Sequence, residues 1–244
     1  SNLYKFSHIT DCHLGSWRNP KLRDLNMQAF ERSILISIKE QVDFILITGD
    51  FFDVNIPQLA PVKKAVEIMK HARDSGIPIY MIYGSHDFNT ANISMIDILH
   101  SAELFIKPTE FEFNTDSIIL KFFVDEKTGG KITGISGRKV GLDKEIYERL
   151  DKQKLESEDG FKIFLLHKGI QEILPLNLQF RDSIPISLIP KGFDYYGGGH
   201  IHKRVEKKMD SSIIAYPGPL FGSTLQDLEE TAKGEPRGFY IISF

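Results

Sequence analysis

Acidic and histidine side chains, which bind divalent metal ions or transfer protons, recur in this sequence directly after short apolar runs. The runs read LYKFSHIT, DFILIT, IPIYMIY, KIFLL and FDYYGG, and such side chains follow each run at once or after a glycine. The polar residues concerned are Asp11, His13, Asp50, Asp53, Ser85, His86, Asp87, His167, His200 and His202. Sites in open α/β sheets form at the carboxyl ends of strands, so we predict that these residues meet in one crevice.

Two pairs of these residues have a spacing that suits metal binding. Side chains two positions apart on an extended segment point the same way, with attachment points about 6 to 7 Å apart. Asp11 with His13, and His200 with His202, are such pairs, and each could reach one shared ion or two adjacent ions. A ligand set of carboxylates and imidazoles without thiolate favours manganese, iron or zinc over calcium.

Several residues also have a purely structural interpretation. A single histidine near a strand or helix end is usually hydrogen-bonded within the fold, and we interpret His8, His71 and His100 in this way. Asp53 and Asp87 either cap turns or helices, or orient a ligating histidine from behind.

Hydrophobic periodicity indicates short strands that alternate with helices through the first part of the chain. Helices are predicted over 24–40, 58–75 and 93–102. The segment 175–195 is predicted to be a long loop with at most short helical turns. The second half contains further strand-like runs joined by turns. This succession predicts an α/β fold, and residues 1–244 are expected to form one domain.

The composition limits the classes of function. The net charge of −3 provides no overall attraction to nucleic acid, so any DNA contact depends on local cations. The cations nearest the motifs are Arg18, Lys203 and Arg204. Cys12 is the only cysteine, and the apolar runs are far shorter than the ~20 residues of a membrane span. We therefore expect no membrane segment and a cytoplasmic protein, associated with the nucleoid if the source is prokaryotic.

The motif order D-x-H, GD-x-x-D, G-x-HD, H-x-G and GH-x-H resembles the calcineurin-like metallophosphoesterase superfamily. More narrowly, DCHLG, GDFFD, HKG and GHIHKR followed by YPGP resemble the nuclease subunit of the double-strand-break repair complex, the SbcD type and its archaeal and eukaryotic counterparts. This resemblance implies a four-layer α/β/β/α sandwich with mixed sheets around two divalent ions, with Mn²⁺ expected. It also implies that a capping domain and an ATPase-binding segment would lie beyond residue 244.

The resemblance implies a role for each site residue. The ligands implied for the first ion are Asp11, His13 and His202. Those implied for the second ion are His167 and His200, with Asp50 as the bridging carboxylate and Ser85 completing the shell. His86 resembles the catalytic histidine, which protonates the leaving 3′ oxygen while a metal-activated water attacks the phosphorus.

Two positions depart from the family pattern. Most of the superfamily has asparagine where this chain has Ser85, and a serine hydroxyl is shorter and a poorer neutral ligand than an amide oxygen. The affinity for the second ion is therefore expected to differ. Pro219 in YPGP stands where serine is usual, which puts a phosphate or DNA contact there in question.

Three functions are compatible with these residues. The first is a manganese-dependent DNA nuclease, acting as 3′ to 5′ exonuclease and single-strand endonuclease, which works with an SMC-like ABC ATPase. The second is a phosphodiesterase for a small molecule or cyclic nucleotide, and the third is a catalytically weak module that binds DNA or a partner. The intact set of ligand-type side chains argues against the third function. Only the narrow motif match and the nearby cations favour DNA over a small diester.

The family resemblance also suggests a homodimer. The predicted helices over 58–75 and 93–102 would form its interface. The candidate contact residues are Ile93, Met95, Ile96 and Leu99. Packing in the protein core explains these apolar residues equally well.

Overall fold

The computed structural model describes residues 3–89, 92–138, 143–179 and 182–244, and the apolar runs of the sequence form its strands. The strands are β1 Lys5–Ile9, β2 Phe44–Thr48, β3 Ile79–Ile82, β4 Phe111–Asn114, β5 Ser117–Leu120, β6 Phe123–Val124, β7 Lys131–Ile135, β8 Lys162–Leu166, β9 Gly169–Ile170, β10 Ser183–Ile184, β11 Tyr195–Gly198, β12 Val205–Met209, β13 Ser212–Tyr216 and β14 Tyr240–Ser243. The helices are α1 Pro20–Lys39, α2 Leu59–Asp74, α3 Met95–Ser101, α4 Lys144–Glu148, α5 Lys152–Glu156 and α6 Leu225–Ala232.

Two mixed sheets form the centre of the fold. One has the strand order β14-β1-β2-β3, in which β1, β2 and β3 are parallel and β14 is antiparallel. The other has the order β12-β13-β11-β8-β7-β6, with β13, β11, β8 and β7 parallel and an antiparallel strand at each edge. The parallel strands of each sheet therefore end together at one edge.

Alternating side chains on the central strands pack the sheets into four layers. In β2, Phe44 and Leu46 join the apolar core between the two sheets, whereas Ile45 and Ile47 join the core under α1 and α2. In β8, Ile163 and Leu165 likewise join the inter-sheet core, whereas Phe164 and Leu166 join a third core on the outer face of the second sheet. This arrangement confirms the predicted α/β/β/α sandwich with mixed sheets.

The predicted elements of the first half are present, with one shifted boundary. Helix α1 begins four residues before the predicted segment 24–40, because the Asn19 side chain accepts hydrogen bonds from the amides of Lys21 and Leu22 and Pro20 occupies the first turn. Among the described residues, none of the helices is both long and apolar enough to cross a bilayer.

Other elements were not predicted because they lack a clear apolar pattern. Strand β12 is an exposed edge strand with the sequence VEKKM, and it forms through its backbone pairing with β13. The short helices α4, α5 and α6 were also missed. The predicted loop 175–195 contains the unpredicted strand β10, whereas its 3₁₀ turn at Ile186–Leu188 agrees with the short helical turns expected there.

The apolar residues proposed for a dimer interface have different environments. Ile96 and Leu99 are buried in the core under the helices, so of the two explanations given above for these residues the structure supports core packing. Met95 packs against the same core, whereas Ile93 is 73% exposed.

Candidate metal centre

The predicted site residues lie at the edge where the parallel strands of both sheets end. Asp11 and His13 follow β1, Asp50 follows β2, and the Ser85–His86–Asp87 turn follows β3. From the second sheet, His167 follows β8, while His200 and His202 follow β11. Residues distant in the chain thus meet because the two sheets are packed face to face with these ends together.

Three groups of these side chains have ligand atoms within 4.8 Å of one another. The groups are Asp11 with His13 and His202, Asp50 with His167 and His200, and His13 with Asp50 and His86. Asp50 joins the first two groups, because its Oδ2 lies 3.1 Å from His167 Nε2 and 3.6 Å from His13 Nε2. The grouping coincides with the ligand sets that the family resemblance implies, although the individual roles stay predictions.

Buried His13 shows that the centre suits a cation. Its side chain is 3% exposed, yet neither ring nitrogen makes a hydrogen bond within the described residues. Its Nε2 faces Asp50 Oδ2 at 3.6 Å and Asp11 Oδ1 at 3.8 Å. Ligand atoms about 2.0 to 2.2 Å from one ion lie roughly 3 to 3.5 Å apart, so these spacings leave room for a metal among them.

The backbone at the centre is held in uncommon conformations. Asp11, His13, Asp50 and His200 all have positive φ, from 42° to 78°, a region that non-glycine residues rarely adopt. Such conformations cost about 1 to 3 kcal/mol each and cluster at functional sites. A Cβ atom at Gly84 would lie 2.1 Å from Asp50 Oδ1, so glycine is required where β3 ends against this carboxylate.

Opposite charges dominate the electrostatics of the centre. Burial by itself would raise the pKa of Asp11, but His13 and His202 lower it well below its usual range. Burial would lower the pKa of His167, yet the Asp50 carboxylate beside it raises that pKa to about 9. The pKa of His202 is likewise raised to about 9, against the effect of burial, by Asp11 and then by Asp227. The carboxylates of Asp11 and Asp50 therefore stay ionised near neutral pH.

Asp87 supports the turn that carries His86. Its Oδ2 accepts hydrogen bonds from the amides of Asp50 and Gly84 at 2.8 and 2.7 Å, and its Oδ1 accepts from Phe51 at 3.2 Å. Burial and the charge of Asp50 raise the pKa of Asp87 to about 7. Of the two predicted functions for Asp87, bracing the turn is the one that these contacts support.

The His86 ring is oriented from the other side. Its Nδ1 lies 2.7 Å from the backbone carbonyl of Asp53, which can only accept a hydrogen bond, so Nδ1 carries the proton and donates it. The ring packs edge-on against His13, with centroids 4.9 Å apart, and remains solvent-exposed. The Asp53 carboxylate lies 3.2 Å from His13 Nδ1, so Asp53 contacts both histidines.

The histidines implied for the second sheet have supporting partners that the sequence did not reveal. His167 Nδ1 lies 2.7 Å from the carbonyl of Thr48, which directs its Nε2 toward Asp50. His202 Nδ1 lies 3.1 Å from the buried Asp227 carboxylate, while its Nε2 lies 3.6 Å from Asp11 Oδ1. Carboxylates and carbonyls in these positions fix the ring orientation of metal-ligating histidines.

Asp227 is held by the first turn of α6. It accepts hydrogen bonds from the amides of Ser223 and Thr224, while its own amide donates to the Thr224 hydroxyl. The guanidinium of Arg237 donates to the carbonyls of His202 and Asp227. The sequence signal for this helix start is T-x-x-D at 224–227, a capping-box pattern that sequence analysis overlooked.

A buried ion-pair group lies behind His167 and His200. Lys168 Nζ lies 2.5 Å from Asp143 Oδ1 and 2.9 Å from Asp182 Oδ1, and the lysine side chain is only 2% exposed. Asp182 Oδ2 in turn lies 3.9 Å from His200 Nε2. Asp143 and Asp182 are thereby joined through Lys168, and Asp182 extends the group to His200.

The remaining predicted residues lie around the centre. Ser85 is partly buried in the turn before His86. Partly buried Lys203 lines a cleft of about 270 Å³ together with His200 and His202. Arg204 and Arg18 are both exposed. Trp17, directly before Arg18, donates a hydrogen bond from its indole to the carbonyl of Gly222.

Metal binding to this centre should release protons and become tighter as the pH rises. His167 and His202, with pKa values of about 9, are protonated in the metal-free centre near neutral pH, and imidazole binds a metal only in its neutral form. We expect the apparent affinity for Mn²⁺ to rise as the pH is raised from neutral toward about 9, where these two histidines lose their protons without metal. Calorimetric titration in buffers of different ionisation enthalpy measures the released protons. Binding without proton release would contradict the protonated state of these histidines.

Comparison with known proteins supports the same chemistry. Residues 4–204 match the calcineurin-like phosphoesterase family. The DNA double-strand break repair protein Mre11 of Sulfurisphaera tokodaii is 31% identical over 93% of this chain and 57% of its own length. The protein of that name from Saccharolobus solfataricus is 31% identical over 97% of this chain and 59% of its own length. The chain thus spans little more than half the length of these relatives.

A solved structure agrees on the fold. A dimetal phosphatase from Danio rerio has a TM-score of 0.54 and 9% sequence identity, and the match covers 98% of this chain and 91% of that chain. At such low identity the likeness concerns the fold alone.

The family match, which extends over most of the chain, confirms the predicted resemblance and the prediction of a metal-dependent phosphoesterase. The chain belongs to the calcineurin-like phosphoesterase family.

Proposed function

We propose that this chain is the nuclease domain of a DNA repair enzyme that hydrolyses phosphodiesters with two bound Mn²⁺ ions. Its activities would be 3′ to 5′ exonuclease and single-strand endonuclease. The observation that carries the proposal is the pair of ligand groups joined through Asp50, with His86 exposed beside them. The similarity to repair proteins named Mre11, over nearly the whole chain, favours DNA as the substrate.

Each side chain would have a defined task in this reaction. Asp11, His13 and His202 would hold one ion, and His167 and His200 the other. Asp50 would bridge the two ions, and Ser85 would complete the shell of the second. Bound ions of this kind neutralise the phosphodiester and lower the pKa of bound water. His86 would donate a proton to the leaving 3′ oxygen, because its ring is accessible and its Nδ1–H bond to Asp53 leaves Nε2 for the substrate.

Cations on the side of β11 and α6 would contact the DNA backbone. Lys203 lines the cleft beside His200 and His202, and Arg204 follows it on the surface. Arg18 lies next to Trp17, which contacts the loop that leads to α6. These three side chains supply local positive charge to a chain with a net charge of −3.

The proposed partners are DNA, a second copy of this chain and an SMC-like ABC ATPase, with the complex in the cytoplasm or on the nucleoid. For the homodimer, Ile56, Leu59, Ile93 and Ile98 are between 53% and 78% exposed. The amide of Met95 donates to the carbonyl of Asn55, so the segments that carry these residues are adjacent. An apolar surface of this kind on α2 and α3 supports the dimer, and light scattering tests it by measuring the mass in solution.

The substitution Ser85→Asn should increase the affinity of the centre for the second ion. An amide oxygen reaches further than a hydroxyl and is a better neutral ligand, and a supporting contact of this kind typically changes metal affinity by ~10 to 100-fold. Titration of wild type and variant with Mn²⁺ in a calorimeter measures the change. Identical titrations would mean that position 85 does not ligate.

The substrate is tested by incubation with labelled single-stranded and duplex DNA, with and without Mn²⁺, in parallel with a small chromogenic phosphodiester. We expect metal-dependent cleavage of DNA, including release of nucleotides from 3′ ends. Asp50→Asn, which removes the carboxylate shared by both ligand groups, serves as the inactive control. Cleavage of the small diester alone would favour a small-molecule phosphodiesterase, and binding of DNA without cleavage of either substrate would favour a binding module.

A further inference from the structure

A second cleft lies at the strand-end edge of the fold, on the side of β3 and β7. Its volume is about 110 Å³, and its lining includes Phe88, Lys107, Phe111 and Arg138. It combines aromatic rings with positively charged side chains. In the cleft beside His202, by contrast, the positive charge of Lys203 is accompanied by the carboxylates of Asp227 and Glu230. No role in metal binding has been assigned to its residues.

This cleft adjoins the candidate metal centre through the backbone. Phe88 is two residues after His86, in the turn that Asp87 braces. The amide of Gly137, next to Arg138, donates to the carbonyl of Tyr83 at 2.8 Å. A Cβ atom at Gly137 would lie 2.8 Å from His167 Cδ2, so the residue directly before Arg138 lies against a predicted metal ligand.

The two cations of the cleft lie against aromatic rings. Lys107 Nζ lies 3.7 Å from the centroid of the Tyr83 ring and 5.9 Å from that of Phe88. Arg138 Cζ lies 5.8 Å from the Phe88 centroid. Phe88 thus has a cation from each of two different chain segments close to its ring.

The carboxylates near these cations are occupied by other donors. Asp97 accepts hydrogen bonds from the Tyr83 hydroxyl at 2.8 Å and from Ser94 at 2.9 Å. Asp87 accepts from backbone amides, and Asp143 pairs with Lys168. Burial lowers the pKa of Lys107, and the charge of Arg138 lowers it further against the opposing effect of Asp97. An anion between Lys107 and Arg138 would relieve this repulsion.

We propose that Phe88, Lys107 and Arg138 form a subsite for one nucleotide of a single DNA strand, next to the phosphodiester at the metal centre. A backbone phosphate would lie between Lys107 and Arg138, and a base would stack on Phe88. Proteins that bind single strands combine such cations with aromatic platforms. The inference rests on the proposed nuclease function, since it names the substrate contacts of that site.

Binding of a fluorescein-labelled single-stranded oligothymidine in EDTA tests the subsite without cleavage. Fluorescence anisotropy is measured over a range of salt concentrations for wild type, Phe88→Leu, Lys107→Gln and Arg138→Gln. We expect roughly 5 to 100-fold weaker binding for Phe88→Leu, which keeps apolar bulk but removes the stacking surface. Log affinity decreases linearly with log salt concentration. For each cation variant this negative slope should become less steep by about 0.7, the value for one lost phosphate contact.

Lys127→Gln is the matched control. It also removes one positive charge, but Lys127 pairs with Asp43, directly before β2, at the opposite edge of the sheets. The control should bind the oligonucleotide like wild type. Unchanged binding and salt slope in all three cleft variants, or equal loss in the control, would overturn the subsite.

A measurement on the unaltered protein covers the case in which a variant fails to fold. Oligonucleotides that contain 5-iodouracil are photo-crosslinked to wild type, and the attached residue is located by mass spectrometry. Crosslinking at Phe88 is expected, and crosslinking only at distant aromatic residues would overturn the proposal. If wild type cuts DNA but these tests fail, only the subsite is wrong; if wild type cuts no DNA, the proposed function itself fails.

Discussion

Replacing His86 with glutamine should lower the rate of DNA cleavage by ~10² to 10⁴-fold, the range associated with loss of a general acid. Glutamine retains similar length and polarity but has no proton to donate near neutral pH. His86 is exposed, and the glutamine amide can donate to the Asp53 carbonyl in place of Nδ1. The fold should therefore tolerate the change. Cleavage of labelled DNA under single-turnover conditions with saturating Mn²⁺ measures the effect.

The same variant distinguishes a proton donor from a metal ligand. A ring nitrogen of His86 lies within 4.8 Å of ligand atoms of His13 and Asp50, so geometry permits both roles. If His86 is a proton donor, His86→Gln should bind Mn²⁺ with the same stoichiometry and affinity as wild type. We expect this result from calorimetry. Loss of bound metal in His86→Gln would make His86 a ligand. His71→Gln, at an exposed position on α2, is the control and should match wild type in both measurements.

Substituting Asp227→Asn should weaken Mn²⁺ binding by ~10 to 100-fold, the usual effect of removing a carboxylate behind a ligating histidine. The Asp227 carboxylate lies 3.1 Å from His202 Nδ1, and this contact aims Nε2 toward Asp11. Asparagine keeps the shape and one acceptor oxygen but not the charge, so it holds His202 Nδ1–H more weakly and no longer increases the basicity of the ring. Calorimetric titration with Mn²⁺ measures the change in affinity.

A merely structural role for Asp227 would have a different signature. Asp227 also receives hydrogen bonds at the start of α6, so the thermal stability of the variant in EDTA must be compared with wild type. Glu229→Gln, at an exposed position of the same helix, removes the same charge without contact to His202 and should bind Mn²⁺ normally. Reduced stability in EDTA with unchanged Mn²⁺ affinity would refute the positioning role.

Much of the fold and the ligand types could be predicted because they depend on local patterns. Apolar runs such as FILIT and KIFLL are buried on both faces, and their residues form central strands of the two sheets. Polar side chains directly after such runs must lie at the strand ends, and the parallel strands of each sheet end at a common edge. Asp50 and His167, 117 positions apart, follow strands of different sheets, so their proximity also requires that the two sheets pack face to face with these ends together.

Other features could not be predicted because they depend on contacts between polar segments. Helix α6 lies largely on the surface, and its sequence LQDLEETA carries few apolar residues to indicate where it packs. The sequence alone could not show that Asp227 faces His202, or that Lys168 joins Asp143 and Asp182.

The sequence by itself determined the central, apolar strands of the two sheets, the carboxylates and imidazoles at their ends, and hence the kind of chemistry. Only the tertiary structure decided which group supports each histidine, which face of α3 is buried, and that Lys107 and Arg138 approach the same ring. The physical reason is that apolar burial follows short-range periodicity, whereas the pairing of polar groups depends on distances between segments far apart in the chain.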